Sequence, residues 1–445
     1  MIGEQQIKRK LQYAKAKAKL AEFSVPEEQY PSFKSDSDDL CFNAMHALSS
    51  YANAILESRQ PDDEVGELKR AASFYDAASN DSDHRWCRDG FWLLAMSTYF
   101  LLENFGSAAV ASDHIEDPSW YGPMGARLFH LFRYLLRGEE PSEEMGLPRL
   151  VEYLQGGDVS LAEVFEEASR FLDGDDARGH LFGKVCYVAI GIAARFATRR
   201  LLPELSDLDM LSWKPYLSSK GACRMLWQAQ ECIARAGAFA GKSLFVQLPT
   251  GTGKTRSIQL LIRSRVLAGE CRQVIVMAPL RALCSEIAKD LTDAISDIVD
   301  VRQSTDALEL DVWPASEANR PQVMVFTPEK FAYVERHAGG LIDSTDLFIL
   351  DEAHLIDDPS RGPAYELTIA EIRQKKPEAQ MVMLSAVVSN PDEIASWAMS
   401  DPESYVSDDG IPRTEKSLGV TNERPNRQSK CNASPWYTSQ GHLQP

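Results

Sequence analysis

The chain has 445 residues, too many for one ordinary domain, and its 44% hydrophobic and 25% charged content is that of a globular protein and not a disordered one. Its formal net charge of −18 excludes a protein held on nucleic acid by bulk charge, so any such binding must come from a local groove. The acidity is concentrated at the front: residues 1–215 carry a net −12 and residues 216–400 a net −5. Eight cysteines are scattered without C-x-x-C spacing and no leader sequence is read, which predicts reduced thiols in a cytoplasmic protein. The longest apolar runs are too short or too charged to span a bilayer, so no membrane partner is expected.

In chain order, residues 5–22 are rich in Ala, Lys and Leu and predict an exposed helix with six basic residues. A solvated face accounts for it, with a nucleic-acid or membrane contact as the alternative. From about residue 38 to 212, apolar residues recur at helical spacing over 40–57, 66–79, 89–112, 124–137, 147–155, 160–172 and 179–201, separated by turn signals such as Arg59-Gln60-Pro61-Asp62 and Asp173-Gly174-Asp175. An all-α N-terminal domain over 1–215 is expected, either a plain accessory domain or a scaffold that docks a protein partner. Pro203 and Pro215 are read as its boundary, and a further helix is expected over about 221–238.

Beyond it the pattern changes. Short apolar runs at 244–248, 273–278, 322–326, 346–350 and 380–384 alternate with helical runs around 253–268, 281–297, 328–337, 361–375 and 391–399. This predicts an α/β domain over 216–400 with a parallel sheet covered on both faces and ligands at the carboxyl ends of its strands. The first strand runs into Pro249-Thr250-Gly251-Thr252-Gly253-Lys254-Thr255 and then a helix, which is the order of a phosphate-binding P-loop. Gly251 and Gly253 let backbone N–H groups turn inward, the helix N-terminus adds partial positive charge, Lys254 can reach the β- and γ-phosphates of ATP, and the Thr255 hydroxyl can ligate Mg²⁺. One departure stands out: Leu248 occupies the position where the pattern usually opens with Gly or Ala. After the fourth strand come Asp351-Glu352-Ala353-His354, about 100 residues beyond the P-loop. Asp351 can hold the Mg²⁺ opposite Thr255, and Glu352 can position and deprotonate an attacking water.

Taken together, the P-loop, Pro279-Leu280-Arg281-Ala282-Leu283, Thr327-Pro328-Glu329-Lys330, Asp351-Glu352-Ala353-His354 and Leu384-Ser385-Ala386 resemble, in order, motifs I, Ia, Ic, II and III of the first RecA-like lobe of a superfamily 2 DEAD/DEAH-type helicase. The stretch Leu355–Pro363 and Val388-Ser389-Asn390-Pro391-Asp392-Glu393 resemble the branch that holds archaeal repair helicases and exosome-associated RNA helicases. The resemblance covers about residues 221–400 and implies ATP-dependent binding and unwinding of single-stranded DNA or RNA. It implies that Gln230 reads adenine, with Trp227 beside it. It implies that Thr250, Gly251, Thr252, Gly253, Lys254 and Thr255 hold phosphates and Mg²⁺. Pro279, Arg281, Thr327 and Lys330 would touch the strand backbone, and His354 and Ser385 would couple the two sites. Helical extensions also occur on phage-defence helicases that work beside a nuclease, and by that likeness a nuclease is a candidate partner in antiviral defence.

Two departures from the family pattern carry expectations. Val387 stands where the family usually has threonine, which removes a coupling hydroxyl. After Ser385 only 60 residues remain, whereas a second RecA-like lobe needs roughly 100 or more. No arginine-rich motif of a second lobe is found, and residues 401–445 lack a folding pattern. The expectation is a truncated or frame-interrupted helicase with one motor lobe. The alternative is a nucleotide-dependent nucleic-acid-binding or partner-docking module that hydrolyses ATP slowly, since arginine fingers contribute about 10³–10⁵ in rate.

Overall fold

The computed structural model describes residues 37–79, 87–174, 176–248, 253–303, 320–386, 388–399, 401 and 403–407. The basic stretch 5–22, Val387 and the tail beyond 407 lie outside the described residues.

The first half is helical: α1 (Ser37–Leu56), α2 (Asp62–Ser79), α3 (Arg88–Leu101), α4 (Phe105–Asp113), α5 (Gly122–Arg137), α6 (Pro148–Leu154), α7 (Leu161–Ser169) and α8 (Ala177–Arg195). They close over one apolar cluster centred on the fully buried rings of Phe100, Phe105, Phe132 and Phe182. Burying a ring of that size contributes about 1.5–3 kcal/mol. The single apolar run 89–112 forms two helices and not one. Glu103 takes a left-handed φ of 60°, and the Asn104 side chain accepts from the Ser107 N–H at 3.3 Å, so a capping residue restarts the helix in a new direction. This break brings α4 back across α5.

Two short helices follow, α9 (Thr198–Ser206) and α10 (Met210–Leu217). Pro203 and Pro215, expected as breaks, lie inside them. Each proline lies beyond the first turn of its helix and takes one N–H out of the ladder, so both helices stay short. Leu201, Leu202, Trp213 and Leu217 of these helices join the apolar cluster beneath the sheet and not the one among α1–α8. Residues 223–227, expected as helix, run extended: Met225 forms an antiparallel bridge with Ala197, and Leu226 N–H donates to the Phe196 carbonyl at 2.8 Å. The helix proper is α11 (Gln228–Arg235).

The sheet comprises β1 (Leu244–Gln247), β2 (Gln273–Met277), β3 (Asp300–Gln303), β4 (Gln322–Phe326), β5 (Leu347–Leu350), β6 (Gln380–Ser385) and β7 (Tyr405–Val406). Its order is β3-β4-β2-β5-β6-β1-β7, with every pair parallel. Alternate residues face opposite layers, as the pleat requires. Val246, Val274, Val276, Val323, Ile349 and Leu384 look to one cluster; Phe245, Ile275, Met277, Phe326, Phe348 and Met383 look to the other. Helices α12 (Lys254–Leu267) and α13 (Arg281–Ile295) cover the first face. Helices α14 (Pro328–Ala338), α15 (Leu341–Ser344), α16 (Gly362–Lys375) and α17 (Pro391–Met399) cover the second. Burial on both faces is why these strands read as unbroken apolar runs. Together these are a RecA-like parallel-sheet lobe preceded by a helical region. No helix among the described residues is long and apolar enough to cross a membrane.

Candidate nucleotide and nucleic-acid site

Because all strands are parallel, the residues after β1, β2, β4, β5 and β6 gather along one edge of the sheet. The residues singled out for chemistry follow these strands or, for Ser385, end one, apart from Gln230, which precedes β1. Three of them, Thr250, Gly251 and Thr252, lie outside the described residues.

Gly253 caps α12 with φ 87°, and a Cβ there would stand 2.9 Å from the Gln230 Nε2. Only glycine combines that backbone angle with that clearance. Gln230 is 2% exposed; its Oε1 accepts from the Trp227 N–H at 2.9 Å, and its Nε2 lies toward Gly253. The extended segment before it is held from the helical side, with Thr198 Oγ1 donating to the Cys223 carbonyl at 2.7 Å.

Lys254 is the first residue of α12, and its Nζ is buried without a hydrogen-bond partner among the described residues. The two carboxylates at the end of β5 line the same cavity. Asp351 is fixed by its own N–H donating to the Met277 carbonyl at 2.8 Å, while its Oδ1 accepts from the Glu352 N–H at 3.0 Å. Burial, then the neighbouring Glu352 charge, push the Asp351 carboxyl above the usual carboxylate range, and Lys254 partly opposes them. Glu352 sits at a left-handed φ of 53°, a strained angle for this residue type and one that turns the chain sharply off the strand. Lys254, Thr255, Asp351 and Glu352 line a single cavity of about 430 Å³, with Trp227 at its side. A second cavity of about 490 Å³ shares Gly253 and Thr255 and runs past Arg256 and Gln259.

A desolvated ammonium without a partner among the described residues is costly unless an anion meets it, and two half-buried carboxylates side by side suit a cation. The donor set therefore fits a polyphosphate with a divalent metal: Lys254 for the phosphate oxygens, Thr255 and Asp351 for Mg²⁺. Held by Thr255 and Asp351, a divalent metal would supply positive charge against the phosphates.

His354 stands between this group and the end of β6. Its Nδ1 is 3.2 Å from Glu352 Oε2 and 3.5 Å from the Ala386 N–H. The two contacts exclude one another: a protonated Nδ1 donates to Glu352, and a bare Nδ1 accepts from Ala386. Ser385 is fully buried and donates to the Ala386 carbonyl at 2.8 Å.

The remaining residues follow the neighbouring strands β2 and β4. Arg281 is exposed at the first residue of α13. Thr327 caps α14, accepting from the Lys330 N–H at 3.3 Å, and the Lys330 ammonium lies 5.6 Å from the centre of the Tyr333 ring. Pro279 differs from these: it is buried, and its carbonyl accepts from Arg361 Nη1 at 3.0 Å. It shapes the turn after β2 and offers no side-chain surface. Arg361 was missed in the sequence as an individual residue, although it falls in the Leu355–Pro363 stretch that follows the acidic box.

Residues 227–394 match the DEAD/DEAH box helicase family. Three curated relatives are each described as "ATP-dependent DNA helicase Hel308". That of Caldivirga maquilingensis is 31% identical over 185 residues, 41% of this chain and 24% of the relative. That of Pyrococcus abyssi is 30% identical over 173 residues, 39% and 23%. That of Thermococcus kodakarensis is 30% identical over 186 residues, 41% and 16%. The chain thus spans about a quarter or less of the length of these relatives.

Proposed function

We propose that residues 227–394, which match the DEAD/DEAH box helicase family, serve as an ATP-dependent motor element that couples Mg·ATP hydrolysis to gripping single-stranded nucleic acid. One observation carries the reading: the buried Lys254 ammonium, without a hydrogen-bond partner among the described residues, shares a cavity with Asp351 and Glu352. In this reading Lys254 orients the terminal phosphates, Thr255 and Asp351 hold the metal, and Glu352 takes the proton of the attacking water. Gln230 packs the base-binding segment onto the P-loop glycine. His354, by switching its Nδ1 between Glu352 and Ala386, links the acidic box to the end of β6.

Arg281, Thr327 and Lys330 then form the strand-binding half, next to the nucleotide half because β2 and β5 are neighbours. A guanidinium, a hydroxyl and an ammonium suit phosphates and carry no base information. With a net charge of −18 the chain needs such a local patch. Replacing Arg281 by alanine should weaken an oligonucleotide of any sequence by several-fold and reduce the slope of log K against log salt by about 0.7, one single-strand phosphate contact. Nucleotide affinity should be unchanged. Anisotropy titrations at several salt concentrations read both quantities; an unaltered slope would remove Arg281 from the strand path. We place the division between the helical domain and the lobe near residue 197, where the two apolar clusters part.

A further inference from the structure

The cavity at Lys254 has two walls. One belongs to the sheet edge, with Lys254, Asp351 and Glu352. The other belongs to the helical layer, where Ala109 and Val110 of α4 and Arg137 of α5 face the same space. We propose that Arg137 is the arginine that meets the terminal phosphate of the bound nucleotide, supplied by the helical layer of the same chain. The proposal rests on the reading of Lys254 as a phosphate ligand given above.

Four observations support it. First, among the described residues lining this cavity, Arg137 is the one cation that the helical layer contributes, and it shares the space with Lys254. A phosphate between them would be flanked by an ammonium and a planar guanidinium able to donate two parallel hydrogen bonds.

Second, the position of Arg137 is fixed. It is the last residue of α5, and Gly138 ends the helix in a left-handed turn with φ 68°. A Cβ on Gly138 would stand 2.9 Å from the Ala222 carbonyl, so the helix end lies hard against residues 221–222. One turn earlier, the Tyr134 ring lies under the buried Arg224 guanidinium, 5.0 Å from its centre. The α5 end is therefore pinned to the segment that leads into Trp227 and Gln230.

Third, the wall around it is small and apolar. Gly106, Ala109 and Val110 come from α4, and the chain reversal at Glu103–Asn104 aims that helix across the cavity. Small side chains there leave room for a ligand.

Fourth, Arg137 is held in reserve by a carboxylate that does not depend on it. Asp113 on α4 pairs with both Arg137 and Arg133, and Arg133 also pairs with Glu139. If Arg137 turns to a phosphate, Asp113 keeps Arg133 and no charge is stranded.

The test uses the full chain and two fluorescent probes, a non-hydrolysable ATP analogue and ADP, each with Mg²⁺. The wild-type chain should prefer the triphosphate by about tenfold or more. Arg137→Ala should erase that preference with little change for ADP, and Arg137→Lys should restore part of it. Asp113→Asn, which frees the guanidinium, should keep or raise the preference. If the pair were only a surface tie between α4 and α5, Arg137→Ala and Asp113→Asn would behave alike and alter both nucleotides equally; that result overturns the proposal. An unchanged preference in Arg137→Ala overturns it too. Lys254→Ala separates the two levels: if it leaves both nucleotides bound at wild-type affinity, the reading of the site itself fails.

Discussion

Replacing Lys254 by alanine will weaken Mg·ATP binding on the order of 100-fold while leaving the ligand-free chain folded and no less stable. The first half follows from charge-assisted hydrogen bonding: an ammonium on phosphate oxygens contributes about 2–3 kcal/mol. The second half follows from the ligand-free geometry. The Lys254 Nζ is buried and unpartnered among the described residues, so removing it relieves a desolvation cost. Most lysines lose packing or an ion pair when truncated; this one gives up a strained state kept for a ligand. Calorimetric titration with a non-hydrolysable ATP analogue checks the affinity, and a thermal melt of the ligand-free variant checks the stability. A drop in melting temperature together with wild-type nucleotide affinity would show that Lys254 is structural.

Glu352→Gln should separate binding from turnover. The substitution keeps shape and length, and the Glu352 N–H can still donate to Asp351 Oδ1. It removes the group that would accept the proton of water, an effect of about 10²–10⁴ in rate. The Kd for Mg·ATP should stay within about threefold, since Lys254, Thr255 and Asp351 are intact. Single-turnover hydrolysis measures the loss directly. The variant also replaces the carboxylate 3.2 Å from His354 Nδ1 by a neutral amide, which removes the charge that favours a proton on that atom, so strand binding should depend less on nucleotide. Wild-type turnover in Glu352→Gln would reassign the base.

The lobe was legible in the sequence for a physical reason. Its inner strands are buried on both faces, so Leu244–Gln247, Gln273–Met277, Gln322–Phe326 and Leu347–Leu350 stand out as short apolar runs. Chemistry gathers at their carboxyl ends, which is where Lys254, Arg281, Thr327 and Asp351 follow in sequence. The edge strands gave no such signal. Asp300-Val301-Arg302-Gln303 is polar and only half buried, and Tyr405–Val406 is two residues long. The break in 89–112 was hidden because Asn104 reads as an ordinary polar position until the chain turns there. Arg137 was invisible for a different reason. It lies 117 residues before Lys254 in the sequence, and nothing near it marks a site; only the return of α5 onto residues 221–224 brings it to the nucleotide cavity. Gln230 was read for adenine, and the fold shows that half of its amide is already committed to Trp227.

The most direct measurement is steady-state Mg·ATP hydrolysis by this chain, with and without single-stranded DNA or RNA, against Lys254→Ala as the blank. The account predicts a rate above the blank that rises when one of the strands is added, because the two halves of the site meet at neighbouring strands of one sheet. A rate equal to the blank with both nucleic acids would contradict it.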